Sequence, residues 1–171
     1  IIIGILTVAA PMISLLIMYS NKMISSLTLE KKEERTYPFM LVAFYYLLAY
    51  IYVRYQIPLE LQHPALVGFL FGVLVIFLLS LWANFYIKVS LHSSAIFGLC
   101  GMLLGYSQTQ LPPDFNGGPT NLYIILYILF VAGLVSGARL FLKVHTLKEI
   151  ILGSVIGFTV MYVTVKYGLY I

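Results

Sequence analysis

The chain has 171 residues, 61% of them hydrophobic and only 9% charged, against roughly 45–50% and 25% in an average soluble domain. One core in a chain of this length cannot hide so much apolar surface, so a soluble monomer is excluded and the remaining solvent is lipid. Ten Lys and Arg against six Asp and Glu give a formal charge of +4, but these cations sit in short links between apolar runs, and no nucleic-acid partner is expected.

The chain opens Ile1-Ile2-Ile3 without an initiator methionine, which implies residues upstream of Ile1. Six apolar runs follow, at about residues 1–20, 38–57, 65–86, 92–106, 121–138 and 147–170. A span needs about 20 mostly apolar residues to cross roughly 30 Å of hydrocarbon. Backbone groups in lipid must be satisfied within the segment, so each run is expected to be a helix. The expected fold is all-α: one polytopic membrane domain over residues 1–171, a bundle of about six transmembrane helices. Tyrosines gather at run ends (Tyr45, Tyr46, Tyr50, Tyr52, Tyr55; Tyr162, Tyr167, Tyr170), where an interfacial aromatic belt places them. Four pairs, Gly68/Gly72, Gly101/Gly105, Gly133/Gly137 and Gly153/Gly157, have the spacing that lets two backbones meet on one helical face, within a bundle or between copies of the chain. Cys100 is the one cysteine and lies in an apolar run, so it reads as a small buried hydrophobe. The link Gln108–Thr120, rich in Pro, Gly and Asn, reads as a surface turn.

If the six helices cross in turn, alternate links share a membrane face. One face then holds Lys22, Lys31, Lys32, Arg35, Lys88, Arg139, Lys143 and Lys148, the other only Arg54 and Lys166. The positive-inside rule makes the first face cytoplasmic.

That same face carries the chemistry. Its three links read Glu30-Lys-Lys-Glu-Glu-Arg35-Thr-Tyr-Pro38, then Lys88-Val-Ser90-Leu-His92, then Arg139-x5-His145-x3-Glu149. Ionisable groups at membrane depth are expensive and are functional candidates by default. His145 and Glu149, four apart, would lie on one helix face about 6 Å apart along the axis, so the carboxylate could accept the imidazole Nδ1–H and leave Nε2 as nucleophile or base. Arg139 could hold two oxygens of a phosphate in its planar fork. His92 and Ser90 stand at a helix N-terminus, where N–H groups and the dipole favour an anion. Each alone has an ordinary explanation: a local helix contact, a snorkelling arginine, a helix-start histidine, a solvated charge run at Lys31–Glu34. Together they form the parts of phosphoryl transfer through a phosphohistidine. His63, on the other face, is assigned no role. The sequence offers no carboxylate cluster or Cys/His set with metal-ligand spacing, so a metal-independent reaction without a cofactor is expected.

These residues resemble the motifs of the type 2 phosphatidic acid phosphatase superfamily of membrane lipid phosphatases, K-x6-R-P, P-S-G-H and S-R-x5-H-x3-D. The third motif reads Ala138-Arg139-x5-His145-x3-Glu149, followed by Gly153; the second reads Val89-Ser90-Leu91-His92, without its Pro and Gly. The first survives as Arg35-Thr-Tyr-Pro38, with Thr28 at the lysine position and Lys88 able to supply the missing cation. The resemblance covers about residues 31–153. It implies His145 as nucleophile, Glu149 as its orienter in place of aspartate, and His92 as general acid and then base. Arg35, Lys88 and Arg139 would clamp phosphate with help from Ser90, and the substrate would be a lipid phosphomonoester or pyrophosphate whose tail enters from the bilayer. The family's site usually faces outward, whereas the cation count places this face inside, and both remain open. The rival expectations are a catalytically silent relative that binds a lipid phosphate, and a scaffold held by its glycine faces. A channel or transporter, which would show broken helices or polar residues at mid-span, fits less well, since only Pro11 and Asn84 come near that description.

Overall fold

The computed structural model describes residues 1–27, 29, 31–109 and 119–168, and they are helical with short links and no strand. Thr28, Glu30, most of the Gln108–Thr120 link and Tyr170 lie outside the described residues. Six long helices follow in order: α1 Ile2–Ser20, α2 Thr36–Gln56, α3 Pro64–Asn84, α4 Leu91–Thr109, α5 Pro119–Phe141 and α6 Leu147–Tyr167. They belong to two compact units, Ile1–Lys88 and Val89–Ile171. Five of the six are long and apolar enough to cross a membrane, which makes the chain an integral membrane protein. The exception is α4, whose polar and small residues (His92, Ser93, Ser94, Gly98, Gly101, Gly105) lower its hydropathy.

In the first unit, α1 opens with a π-helical turn, Ile5–Ala9, just before Pro11. Proline lacks an N–H and its ring crowds the carbonyl four residues back, so the ladder shifts to the wider i→i+5 register there. Helix α2 follows a 3-10 turn at Glu33–Arg35. Pro64 stands at the first position of α3, where its missing N–H costs nothing. Helices α2 and α3 pack through small and aromatic side chains. Ala49, Val53 and Leu70 are fully enclosed, Phe39 meets Phe77 edge-on at 5.9 Å, and Tyr46 and Tyr50 lie 6.1 Å from Phe77 and 5.5 Å from Phe71. Tyr46 and Tyr50 are therefore packing residues, while Tyr55 and Tyr167 are exposed as interfacial anchors would be. The end of α3 is tied to the α1–α2 link twice: Asn84 Nδ2 donates to the Lys32 carbonyl at 3.0 Å, and Lys32 Nζ to the Phe85 carbonyl at 2.9 Å.

In the second unit, α4 packs on α6 by backbone contact. A Cβ placed on Gly157 would collide with the Ser94 carbonyl, and one on Gly101 with the Phe158 carbonyl. One on Gly153 would come within 2.5 Å of the Ser90 carbonyl, and one on Gly105 within 2.9 Å of that of Tyr162. The pairs Gly101/Gly105 and Gly153/Gly157 thus do what their spacing predicts, from both sides of one seam. Gly68 and Gly72 are buried in α3. Gly133 and Gly137 differ: a Cβ on either would meet no described atom within 4 Å. They lie on α5, of whose span only 6% is buried, with Tyr123, Tyr127 and Phe130 exposed as a lipid-facing helix requires.

The seam predicts a contrast. Gly157→Ala should destabilise the protein by about 1–3 kcal/mol, because the obstacle is backbone and cannot rotate away. Gly133→Ala should be neutral or stabilising by about 0.5–1 kcal/mol, through helix propensity alone. Thermal unfolding of the two variants in detergent measures both; equal shifts would contradict the seam.

Candidate functional site

The site is built at the end of the seam where α4 and α6 both begin. Ser90 is the N-cap of α4: its Oγ accepts from the Ser93 N–H at 3.4 Å, satisfying one of the helix's orphan donors. The Ser90 N–H in turn donates to the Glu149 carbonyl at 3.3 Å, joining the start of α4 to the first turn of α6. This approach is possible because Gly153, one turn further along α6, presents no side chain to the Ser90 carbonyl.

Helix α6 begins with a capping box. The Thr146 hydroxyl accepts from the Glu149 N–H, and the Glu149 carboxylate accepts from the Thr146 N–H, both at 3.4 Å. The same carboxylate oxygen lies 2.7 Å from His145 Nδ1. An ionised carboxylate only accepts, so Nδ1 donates to it, and in the neutral ring the remaining lone pair is then on Nε2. The expected His145–Glu149 contact is therefore present, but not by the expected route. His145 lies outside α6, immediately before the N-cap, so the two residues are not stacked one turn apart on a helix face. The longer side chain of glutamate lets one carboxylate serve both the cap and an imidazole held ahead of it. The imidazole is enclosed, with its side chain 2% exposed against 15% for Glu149.

A line of hydroxyls extends from this point, those of Ser90, Ser93 and Ser94 buried and that of Ser136 half-buried. Ser90 Oγ is 3.0 Å from Ser93 Oγ, which is 3.5 Å from Ser136 Oγ on α5. Ser94 Oγ donates to the Ser90 carbonyl at 3.1 Å. Three residues beyond Ser136, on the same face of α5, stands Arg139 in the last turn. Its Nε is buried and has no partner among the described residues. A buried donor left so costs about 1–3 kcal/mol, and a guanidinium in that state is a receptor for an anion. His92, at the second position of α4, is exposed.

Ser90, His92, Arg139, His145 and Glu149 all belong to the second unit, with Ser90, His145 and Glu149 joined by hydrogen bonds. Arg35 and Lys88 belong to the first. Arg35 is buried and its Nε donates to the Leu29 carbonyl at 2.7 Å, so part of its fork pins the α1–α2 link. Lys88 is half-buried, two residues before Ser90 in the chain. The sequence reading missed Ser93, Ser94 and Ser136. Three polar residues on helices that need to be apolar were the available signal, because a hydroxyl inside a span needs a partner. Among the described residues no three His, Cys, Asp or Glu side chains gather as metal ligands. No protein-family model matches the chain, and no curated protein or solved structure does so.

Two substitutions separate the cap from the dyad. Thr146→Ala should cost about 1 kcal/mol of stability and leave the His145 tautomer unchanged. Glu149→Gln keeps a residue suited to the capping box but removes the charge facing Nδ1, so the population protonated at Nδ1 should fall. Unfolding curves and histidine 15N chemical shifts read the two effects; a tautomer shift in Thr146→Ala alone would contradict this division.

Proposed function

We propose that the protein is an integral-membrane lipid phosphatase of the type 2 phosphatidic acid phosphatase kind, working through a phosphohistidine. The observation that carries this reading is the 2.7 Å contact of His145 Nδ1 with the Glu149 carboxylate. An imidazole so held presents a fixed tautomer and orientation and a more basic Nε2. The unpartnered Nε of Arg139 supports it as the group that would meet the charge spread over the equatorial phosphoryl oxygens.

In this reading six helices cross the bilayer, α4 shielded by its seam with α6, and the lipid headgroup enters at the membrane interface. His145 Nε2 attacks phosphorus as the bond to the leaving oxygen breaks, and His92 gives that oxygen its proton. His92 then takes a proton from water, whose oxygen attacks phosphorus and breaks the N–P bond, releasing phosphate and restoring neutral His145. Ser90 would add a hydroxyl to the phosphate clamp. Leu91 stands where the family has glycine.

The enclosure of the His145 ring favours a second reading, a catalytically silent relative in which the dyad serves only to fix the entry of the chain into α6. The test is phosphate release from a panel of lipid phosphates and pyrophosphates in detergent with EDTA present. The enzyme reading expects release by the wild type. His145→Ala should fall to background, and Glu149→Gln and Arg139→Ala should each lose about 10²–10³-fold in kcat. Equal release by wild type and His145→Ala would remove His145 as nucleophile, and dependence on added metal would remove the mechanism.

A further inference from the structure

The first unit contains a feature with no part in this chemistry: a cleft of about 590 Å³ between the end of α1 and the start of α2, within the range of small-molecule sites. Its walls are apolar and adaptable, formed by Met18, Met23, Met40, Leu41 and Phe44. Of its polar lining residues, Ser14 has its hydroxyl 2.8 Å from that of Tyr45, so each satisfies the other, and Tyr37 is exposed.

The way α1 ends builds this cleft. The Met23 N–H donates to the Met18 carbonyl at 2.9 Å and the Lys22 N–H to that of Tyr19 at 3.0 Å, the paired bonds of a Schellman motif. The motif folds Met23 back toward Met18, and both line the cleft. It also requires a left-handed residue, and that residue is Lys22, at φ 58°. Glycine is the usual occupant, and a side chain costs about 1–2 kcal/mol in this conformation. A cation thus stands, at a conformational cost, next in the chain to Met23, which lines the cleft.

The neighbouring cations are engaged elsewhere. Lys31 pairs with Glu34 at 3.4 Å, Lys32 donates to the Phe85 carbonyl, and Arg35 to the Leu29 carbonyl. The Lys22 ammonium is exposed and has no partner among the described residues; on the same link Glu33 is also exposed.

We propose that this cleft binds one acyl chain of an anionic glycerophospholipid, with the headgroup phosphate on Lys22. The apolar cleft suits the tail, and the adjacent cation at the helix end, where headgroups lie, suits the phosphate. Lysine also favours helix C-termini through the dipole, and the test separates the two roles.

The protein, reconstituted in phosphatidylcholine nanodiscs containing phosphatidylglycerol, is released in native mass spectrometry and its retained lipids are counted. One phosphatidylglycerol should be retained in preference to phosphatidylcholine. Lys22→Gly removes the charge and relieves the backbone, so its unfolding midpoint should match or exceed that of the wild type while the preference falls about fivefold. Met40→Trp, which narrows the cleft with a bulkier ring, should reduce the retained lipid. Equal retention of both lipids, an unchanged preference in Lys22→Gly, undiminished retention by Met40→Trp, or a lipid-free dimer in place of the lipid-bound chain would each overturn the proposal.

Discussion

The second unit depends on one contact, the direct approach of the α4 and α6 backbones at Ser94–Gly157 and Ser90–Gly153. Side chains of any size would part the two helices, and the Ser90 N–H would lose the Glu149 carbonyl. The contact also explains the composition of α4. A helix in lipid gains little from burying apolar side chains against another helix, so association depends on close packing and internal hydrogen bonds. Small and hydroxylated residues supply both, and they are the residues that leave α4 less apolar than its neighbours.

The site inherits its precision from this seam. Because α4 and α6 start side by side, the N-cap of one and the capping box of the other share a single residue, Glu149. Its carbonyl takes the Ser90 N–H and its carboxylate takes His145 and the Thr146 N–H. An acidic side chain in the first turn also complements the helix dipole. Local folding requirements and the orientation of the imidazole are thus met by the same atoms. Scarce charge is allocated in the same way elsewhere: Arg35 and Lys32 bind backbone carbonyls that hold the first unit's links, whereas the Nε of Arg139 has no partner among the described residues.

Helix identity and extent were legible in the sequence, since lipid demands long apolar runs and punishes interruptions; the runs and the helices agree to within a few residues. What each helix face meets was less legible. Spacing marks Gly133/Gly137 and Gly153/Gly157 alike, but among the described residues only the second pair meets another backbone, and nothing local distinguishes them. The His145–Glu149 pair was legible as a contact and misread as geometry, because Thr146 caps the helix between them. Thr146-x-x-Glu149 is itself a capping-box pattern and marks that boundary. Ser136 could not be tied to Ser93 from sequence, since their contact depends on how α5 lies against α4. Arg35 shows the reverse: a residue matching a motif whose Nε is engaged by the fold.

The central claim is that the imidazole fixed by Glu149 accepts a phosphoryl group. It is tested most directly by mixing the protein with a lipid phosphate labelled on phosphorus, quenching in alkali to preserve a phosphoramidate, and mapping the label by mass spectrometry. The account predicts acid-labile label on the peptide containing His145, absent from His145→Ala and reduced in Glu149→Gln. Label on Ser90, or turnover of the lipid with no label on the chain, would contradict it.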